Sequence, residues 1–174
     1  LEVMLDAAPR PYTPAEKQAM AERKNRYYVE SIGAISPADI LPGFGAFFDG
    51  LRRRGIRCAI GSSSRNTQAI LRGIGLSDAF DAIADGTQIT QSKPDPEVFL
   101  LAASLLGVPA AACVVVEDAE AGVEAAKAAG MRTVAVGAAA ELPGADIAAA
   151  SLADITADDM LRRLTGEPTR RSEE

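Results

Sequence analysis

The sequence predicts a doubly wound, Rossmann-like parallel α/β sheet, and three observations carry that prediction. Short apolar runs alternate with helical stretches along most of the 174 residues. Those runs are apolar throughout rather than alternating, as in strands covered on both faces. Three successive junctions ahead of helices then carry hydroxyl, Lys and acidic residues, where open parallel sheets place their chemistry.

The elements follow in order. Pro14–Ile32 has helical periodicity, with Met20, Tyr27, Tyr28 and Ile32 among charges, and stops at Gly33. With residues 1–6 it reads as the surviving half of a helical cap, so Tyr27, Tyr28 and Ile32 are expected to lack helical partners. A hinge spans 34–39. The core then reads helix 44–54, strand 57–61, helix 66–73, strand 82–85, helix 96–106, strand 113–117, helix 120–129 and strand 133–136. A weak strand near 147–150 and a helix over 157–164 follow. The expected organisation is a half-cap over 1–36, a Rossmann-like core over 37–165 and a polar tail over 166–174.

Composition narrows the function classes. A hydrophobic content of 48% gives ample core material. The net charge of −6 argues against a nucleic-acid or anionic-membrane partner, so an anionic ligand needs a local basic cluster, for which Lys24, Arg65 and Lys93 are the candidates. Cys58 and Cys113 fall inside expected buried strands and read as small apolar fillers. With no His, zinc chemistry and His-based triads are set aside. No long apolar span is visible, and a cytoplasmic location is expected.

Each junction has two readings. Glu117-Asp118 closes the run Cys113-Val114-Val115-Val116, and paired carboxylates at a strand tip suit Mg²⁺, which in turn implies a phosphorylated substrate. The same residues also fit an N-cap Asp118 with an acidic first helical turn. Gly61-Ser62-Ser63-Ser64-Arg65-Asn66 puts hydroxyls, a guanidinium and an amide at a helix amino end, which is either an anion site or an ordinary cap. Lys93, in Gln91-Ser92-Lys93-Pro94-Asp95-Pro96, is a solvated surface charge or an ammonium held rigid by its prolines.

Taken together, Ser62, Lys93 and Glu117-Asp118 resemble the hydroxyl, Lys and acidic metal motifs of the haloacid dehalogenase superfamily. Further stretches are similar to its β-phosphoglucomutase-like subfamily. These are Glu22-Arg23-Lys24-Asn25-Arg26-Tyr27-Tyr28, Ser36-Pro37-Ala38-Asp39, Leu41-Pro42-Gly43 and Phe80-Asp81-Ala82-Ile83-Ala84-Asp85. Ser92-Lys93-Pro94-Asp95-Pro96 and Glu117-Asp118-Ala119-Glu120-Ala121-Gly122 continue the likeness, which covers residues 1 to about 164. One departure matters: the superfamily's first motif, Asp-x-Asp, occurs nowhere in the chain. The expectation is that about fifty residues ahead of Leu1, a size taken from ordinary domain dimensions, would hold that motif, the first strand and the rest of the cap.

The resemblance implies a phosphoryl-transfer enzyme in which an Asp outside these residues attacks to form an aspartyl-phosphate. Glu117 and Asp118 would ligate Mg²⁺, while Ser62, the Ser63 backbone and Lys93 would hold the transferring phosphate. Ser64, Arg65 and Asn66 would hold a distal phosphate, and Lys24 would close over the sugar. It implies interconversion of β-glucose 1-phosphate and glucose 6-phosphate through glucose 1,6-bisphosphate, by a protein monomeric when complete. A sugar-phosphate phosphatase and a non-catalytic remnant are the rival readings.

Overall fold

The computed structural model describes residues 10–141 and 143–166. The expected cap segment 1–6 and the tail beyond Gly166 lie outside the described residues.

Helix α1 (Pro14–Ile32) starts where its capping residues demand. Thr13 accepts from the Glu16 N–H, the Glu16 carboxylate accepts from the Thr13 N–H, and Pro14 occupies the first turn. Tyr27 is 65% exposed and Tyr28 41%. Ile32 departs from expectation and is buried at 8% exposure. A 3₁₀ turn (Pro37–Asp39), capped by Ser36, occupies the expected hinge.

The core runs α2 (Phe44–Arg53), β1 (Ala59–Gly61), α3 (Thr67–Gly73), β2 (Ala82–Ala84), α4 (Glu97–Leu106) and β3 (Val114–Glu117). It continues through α5 (Glu120–Ala128), β4 (Arg132–Val136), β5 (Ile147–Ala149) and α6 (Ala157–Thr165). All strand pairs are parallel. Side chains of β4 alternate between two layers, as strand geometry requires. Val134 and Val136 pack with Phe47, Ile155 and Met160 from the α2 and α6 side, whereas Ala135 packs with Val123 of α5. Helices therefore cover both faces. A second cluster joins Ala84, Val98, Phe99 and Ala103 to Val115, Ala125 and Ala126. Each fully buried Val, such as Val98 and Val134, contributes about 1.5–3 kcal/mol.

The sheet is in two pieces. β1 pairs with β2, and β3–β4–β5 form the other piece, so β1 and β3 are each paired on one side. Val116 of β3 is 36% exposed. The strands also start later than the apolar runs suggest. The Cys58 N–H is taken by the Asp81 carboxylate at 2.8 Å, and the Cys113 N–H closes a 3₁₀ turn (Ala110–Ala112) onto the Ala110 carbonyl at 2.9 Å. Both cysteines thus sit just ahead of strands, free and half-buried, with Cys113 packed against the core cluster around Val115 and burial raising each thiol pKa. Among the described residues no helix is long and apolar enough to cross a membrane.

Candidate active site

The hydroxyl junction is wired by its own backbone. The Ser62 N–H donates to the Ala84 carbonyl at 3.0 Å, extending the β1–β2 pairing by one residue. The chain then turns: the Ser64 N–H donates to Ser62 Oγ at 3.2 Å and the Asn66 N–H to Ser64 Oγ at 3.1 Å. The Ser64 carbonyl accepts from Thr67 Oγ1 at 2.8 Å and from the Gly86 N–H at 3.1 Å. Such local side-chain bonds are what Ser and Thr offer at a turn. Gly86 has to be Gly here, because a Cβ would overlap the Ser63 carbonyl. Asn66 is the N-cap residue of α3 but makes no side-chain capping bond.

The Lys junction is clamped from α4. The Glu97 carboxylate accepts from the Gln91 N–H at 2.7 Å and the Thr90 N–H at 2.9 Å, and these bonds hold its pKa below the usual carboxylate value. The Asp95 carboxylate accepts from the Glu97 N–H at 2.9 Å. Within this loop the Lys93–Pro94 peptide is cis. The Lys93 N–H donates to Ser63 Oγ at 3.3 Å, which ties the two junctions together. The Lys93 ammonium pairs with the Glu117 carboxylate and lies 4.5 Å from the centre of the Phe99 ring. Both members of the pair are largely buried, at 17% and 11% side-chain exposure.

At the acidic junction the capping alternative is not realised. The N-cap position of α5 is Ala119, and no side chain caps the helix, so the exposed Asp118 carboxylate is not spent on the helix end. A Cβ at Gly122 would overlap the Glu117 carboxyl group, so that glycine is a cradle for it. Asp118 lines a cavity of about 280 Å³ with Leu41, Pro42, Val136, Gly137 and Ser151. Among the described residues no three His, Cys, Asp or Glu side chains form a metal-binding group. Mg²⁺, however, is ordinarily held by one or two carboxylates with phosphate and water supplying the rest, and this pair fits that donor type.

On the α1 side, Lys24, Asn25 and Tyr28 face Ser64, Arg65 and Asn66 across a cavity of about 360 Å³. Tyr28 Oη stands 3.5 Å from Ser64 Oγ. The structure thus gathers most of the sequence-predicted residues into two linked groups, Lys93 with Glu117 and Lys24 with Ser64, Arg65 and Asn66, while Asp118 joins neither and lines the separate cavity beside Leu41. Ser62 and Ser63 join the two. Sequence reasoning gave Gly86 and Phe99 no role, and it carried Asn25 and Tyr28 only within the stretch Glu22 to Tyr28, without placing them in the site. Tyr28 lies four residues from Lys24 and so on the same helix face.

Fold and strand ends define a doubly wound α/β protein whose polar residues gather at the carboxyl ends of its parallel strands. Residues 4–130 match the family described as Hydrolase: haloacid dehalogenase-like hydrolase. The chain is 45% identical over 145 residues to the β-phosphoglucomutase of Bacillus subtilis (strain 168), a match spanning 83% of this chain and 64% of that relative. It is 32% identical over 161 residues to hexitol phosphatase B of Escherichia coli (strain K12), spanning 88% of this chain and 72% of the relative. The crystal structure of β-phosphoglucomutase from Clostridium difficile superposes with a TM-score of 0.83 at 35% identity, covering 89% of this chain and 70% of that one. The chain belongs to the haloacid dehalogenase-like hydrolase family, in its β-phosphoglucomutase-like branch.

Proposed function

We propose that these residues serve a β-phosphoglucomutase, which interconverts β-glucose 1-phosphate and glucose 6-phosphate through glucose 1,6-bisphosphate. The observation that carries the reading is the division of one loop between two places. Ser63 reaches the Lys93 junction, while Ser64, Arg65 and Asn66 turn to the cavity shared with Lys24. Two anion grips on one loop suit a bisphosphate.

In this reading a carboxylate outside the 174 residues attacks phosphorus and the sugar oxygen leaves, since the chain holds no Asp-x-Asp. Ser62 and the Ser63 N–H hydrogen-bond the transferring group, and the Lys93 ammonium offsets the charge spread over its oxygens. Arg65 grips the distal phosphate through its guanidinium fork. Lys24 covers the sugar from residues 1–36, taken as half of a cap, above a core over 37–165. Glu117 and Asp118 would hold Mg²⁺, which supplies charge neutralisation when bound.

The phosphatase reading is favoured by the likeness to hexitol phosphatase B. Arg65→Ala separates the two. In the mutase reading it weakens glucose 1,6-bisphosphate binding by about 1.5–3 kcal/mol and leaves a small monophosphate nearly unaffected. Calorimetric titration of both ligands reads this, and equal losses would favour the phosphatase.

A further inference from the structure

Phe99 is 6% exposed and sits in an apolar stretch of α4, the position of an ordinary core filler. Two contacts set it apart from its neighbours. One ring face lies 4.5 Å from the Lys93 ammonium. The ring is also pressed against the end of β1, so closely that a Cβ on Gly61 would come within 2.8 Å of its Cδ1 atom. Gly61 is the residue before Ser62, so a single ring touches both the start of the hydroxyl loop and the lysine of the next junction.

We propose that Phe99 is a positioning residue for Lys93: its ring fixes the ammonium between Glu117 and the hydroxyl loop, and it sets the spacing of that ammonium from Ser62. The proposal rests on the phosphoryl-transfer reading above. An ammonium has three donors, of which the Glu117 carboxylate engages one. The face of an aromatic ring attracts the charge but accepts no strong hydrogen bond, so it holds the ammonium without using up the donors needed for a phosphate. An aliphatic side chain of similar volume would fill the same space without that attraction, leaving the stem of Lys93 free to change rotamer. A carboxylate in the same place would hold the ammonium more strongly, but it would also repel the phosphate. The ring therefore reconciles a fixed cation with an open anion site.

The test is a double-mutant cycle on the 174-residue chain with Phe99→Leu, Lys93→Met and the two combined, plus Phe99→Tyr as the conservative variant. Inorganic phosphate is the probe, titrated by calorimetry. The expected result is that Phe99→Leu weakens phosphate binding by about threefold to thirtyfold, the range of a desolvated cation–π contact. In the Lys93→Met background Phe99→Leu should add nothing further. Phe99→Tyr should restore affinity to about the wild-type value, since its ring has the same attractive face. Equal losses from Phe99→Leu with and without the lysine would overturn the proposal and return Phe99 to the core. Thermal melts of the four proteins of the cycle, wild type included, provide a readout independent of function. If the wild-type chain binds no phosphate, the phosphoryl-transfer reading fails at this site, and the melts decide the contact alone. Non-additive shifts in melting temperature support the Phe99–Lys93 link, and additive shifts refute it.

Discussion

The β1–β2 half and the β3–β4–β5 half of this protein are built alike where their strands begin and differently where they end. At the start of each, an Asp just ahead of one strand ties down its neighbour. The Asp81 carboxylate accepts from the Cys58 N–H at 2.8 Å, and the Asp146 carboxylate from the Thr133 N–H at 2.7 Å. An Arg beside the start of a strand also reaches the carbonyl at a helix end in each half, Arg57 to Leu106 and Arg132 to Leu164. At the carboxyl ends the likeness stops. Neither following helix has a side-chain cap, but the loop after β1 is fixed by a chain of backbone and hydroxyl bonds, whereas the tip after β3 is held by the Lys93–Glu117 ion pair. The anion-facing half is prewired, and the carboxylate half is left adjustable. In the phosphoryl-transfer reading proposed above, the hydroxyl loop would be the side that receives phosphate.

Two glycine substitutions test the difference most severely. At Gly86 a Cβ would strike the Ser63 backbone, which the neighbouring bonds to the Ser64 carbonyl keep from moving away. Gly86→Ala should cost about 1–3 kcal/mol, the usual range for overpacking. At Gly122 the clash is with the end of the flexible Glu117 side chain, and Ala favours a helix interior over Gly by about 0.5–1 kcal/mol. Gly122→Ala should therefore cost less than Gly86→Ala, because the end of the Glu117 side chain can shift while keeping its ion pair with Lys93. Denaturant unfolding of the two variants checks both. A similar loss in each would mean that the acidic tip is as tightly fixed as the hydroxyl loop.

Much of this architecture was legible because its signals are local. Thr13, Pro14 and Glu16 announce the start of α1, and α4 starts beside Pro96 as the sequence suggests. The β-branched run Val114-Val115-Val116 announces β3. What escaped depends on the third dimension. A Phe among apolar helical residues looks the same whether it faces core or cation, so Phe99 gave no sign of Lys93. Nor could spacing decide between Asp118 as a cap and Asp118 as a ligand, because both put a carboxylate ahead of a helix. The apolar runs alone could not show which strands are neighbours, since an apolar run specifies a strand without naming its partners.

A milder change sharpens the comparison at the other end of the strands. Hydrogen bonding from the Cys58 N–H, with help from the Arg52 guanidinium at 2.5 Å, lowers the pKa of Asp81 from its ordinary value. A carboxyl whose pKa is lower folded than unfolded stabilises the fold above the unfolded value, about 3.9. That contribution fades as the pH falls through the folded value. Asp81→Asn should therefore melt below wild type near neutrality, and the gap should close as acid protonates the wild-type carboxyl. Melts from pH 7 down to the acid limit of folding would show it. A gap that held constant with pH would assign the effect to lost packing instead of lost charge.

The smallest effect is expected where α1 touches the prewired loop. Tyr28 Oη stands 3.5 Å from Ser64 Oγ, at the outer limit of a hydrogen bond, and the residue is 41% exposed, so water can replace it. The Ser64 hydroxyl already accepts from the Asn66 N–H at 3.1 Å, which holds the loop without help from Tyr28. Tyr28→Phe should leave the melt within about 0.5 kcal/mol of wild type, as surface substitutions do. Its effect on glucose 1,6-bisphosphate binding, read by calorimetry, should fall at the low end of a neutral hydrogen bond, about 0.5 kcal/mol. The same change in a Ser64→Ala background should then do nothing at all. If Tyr28→Phe alone cost more than about 1.4 kcal/mol, a tenfold loss, the loop after β1 would owe its order to the helix above it. The contrast between a fixed anion half and an adjustable carboxylate half would then have to be redrawn around α1.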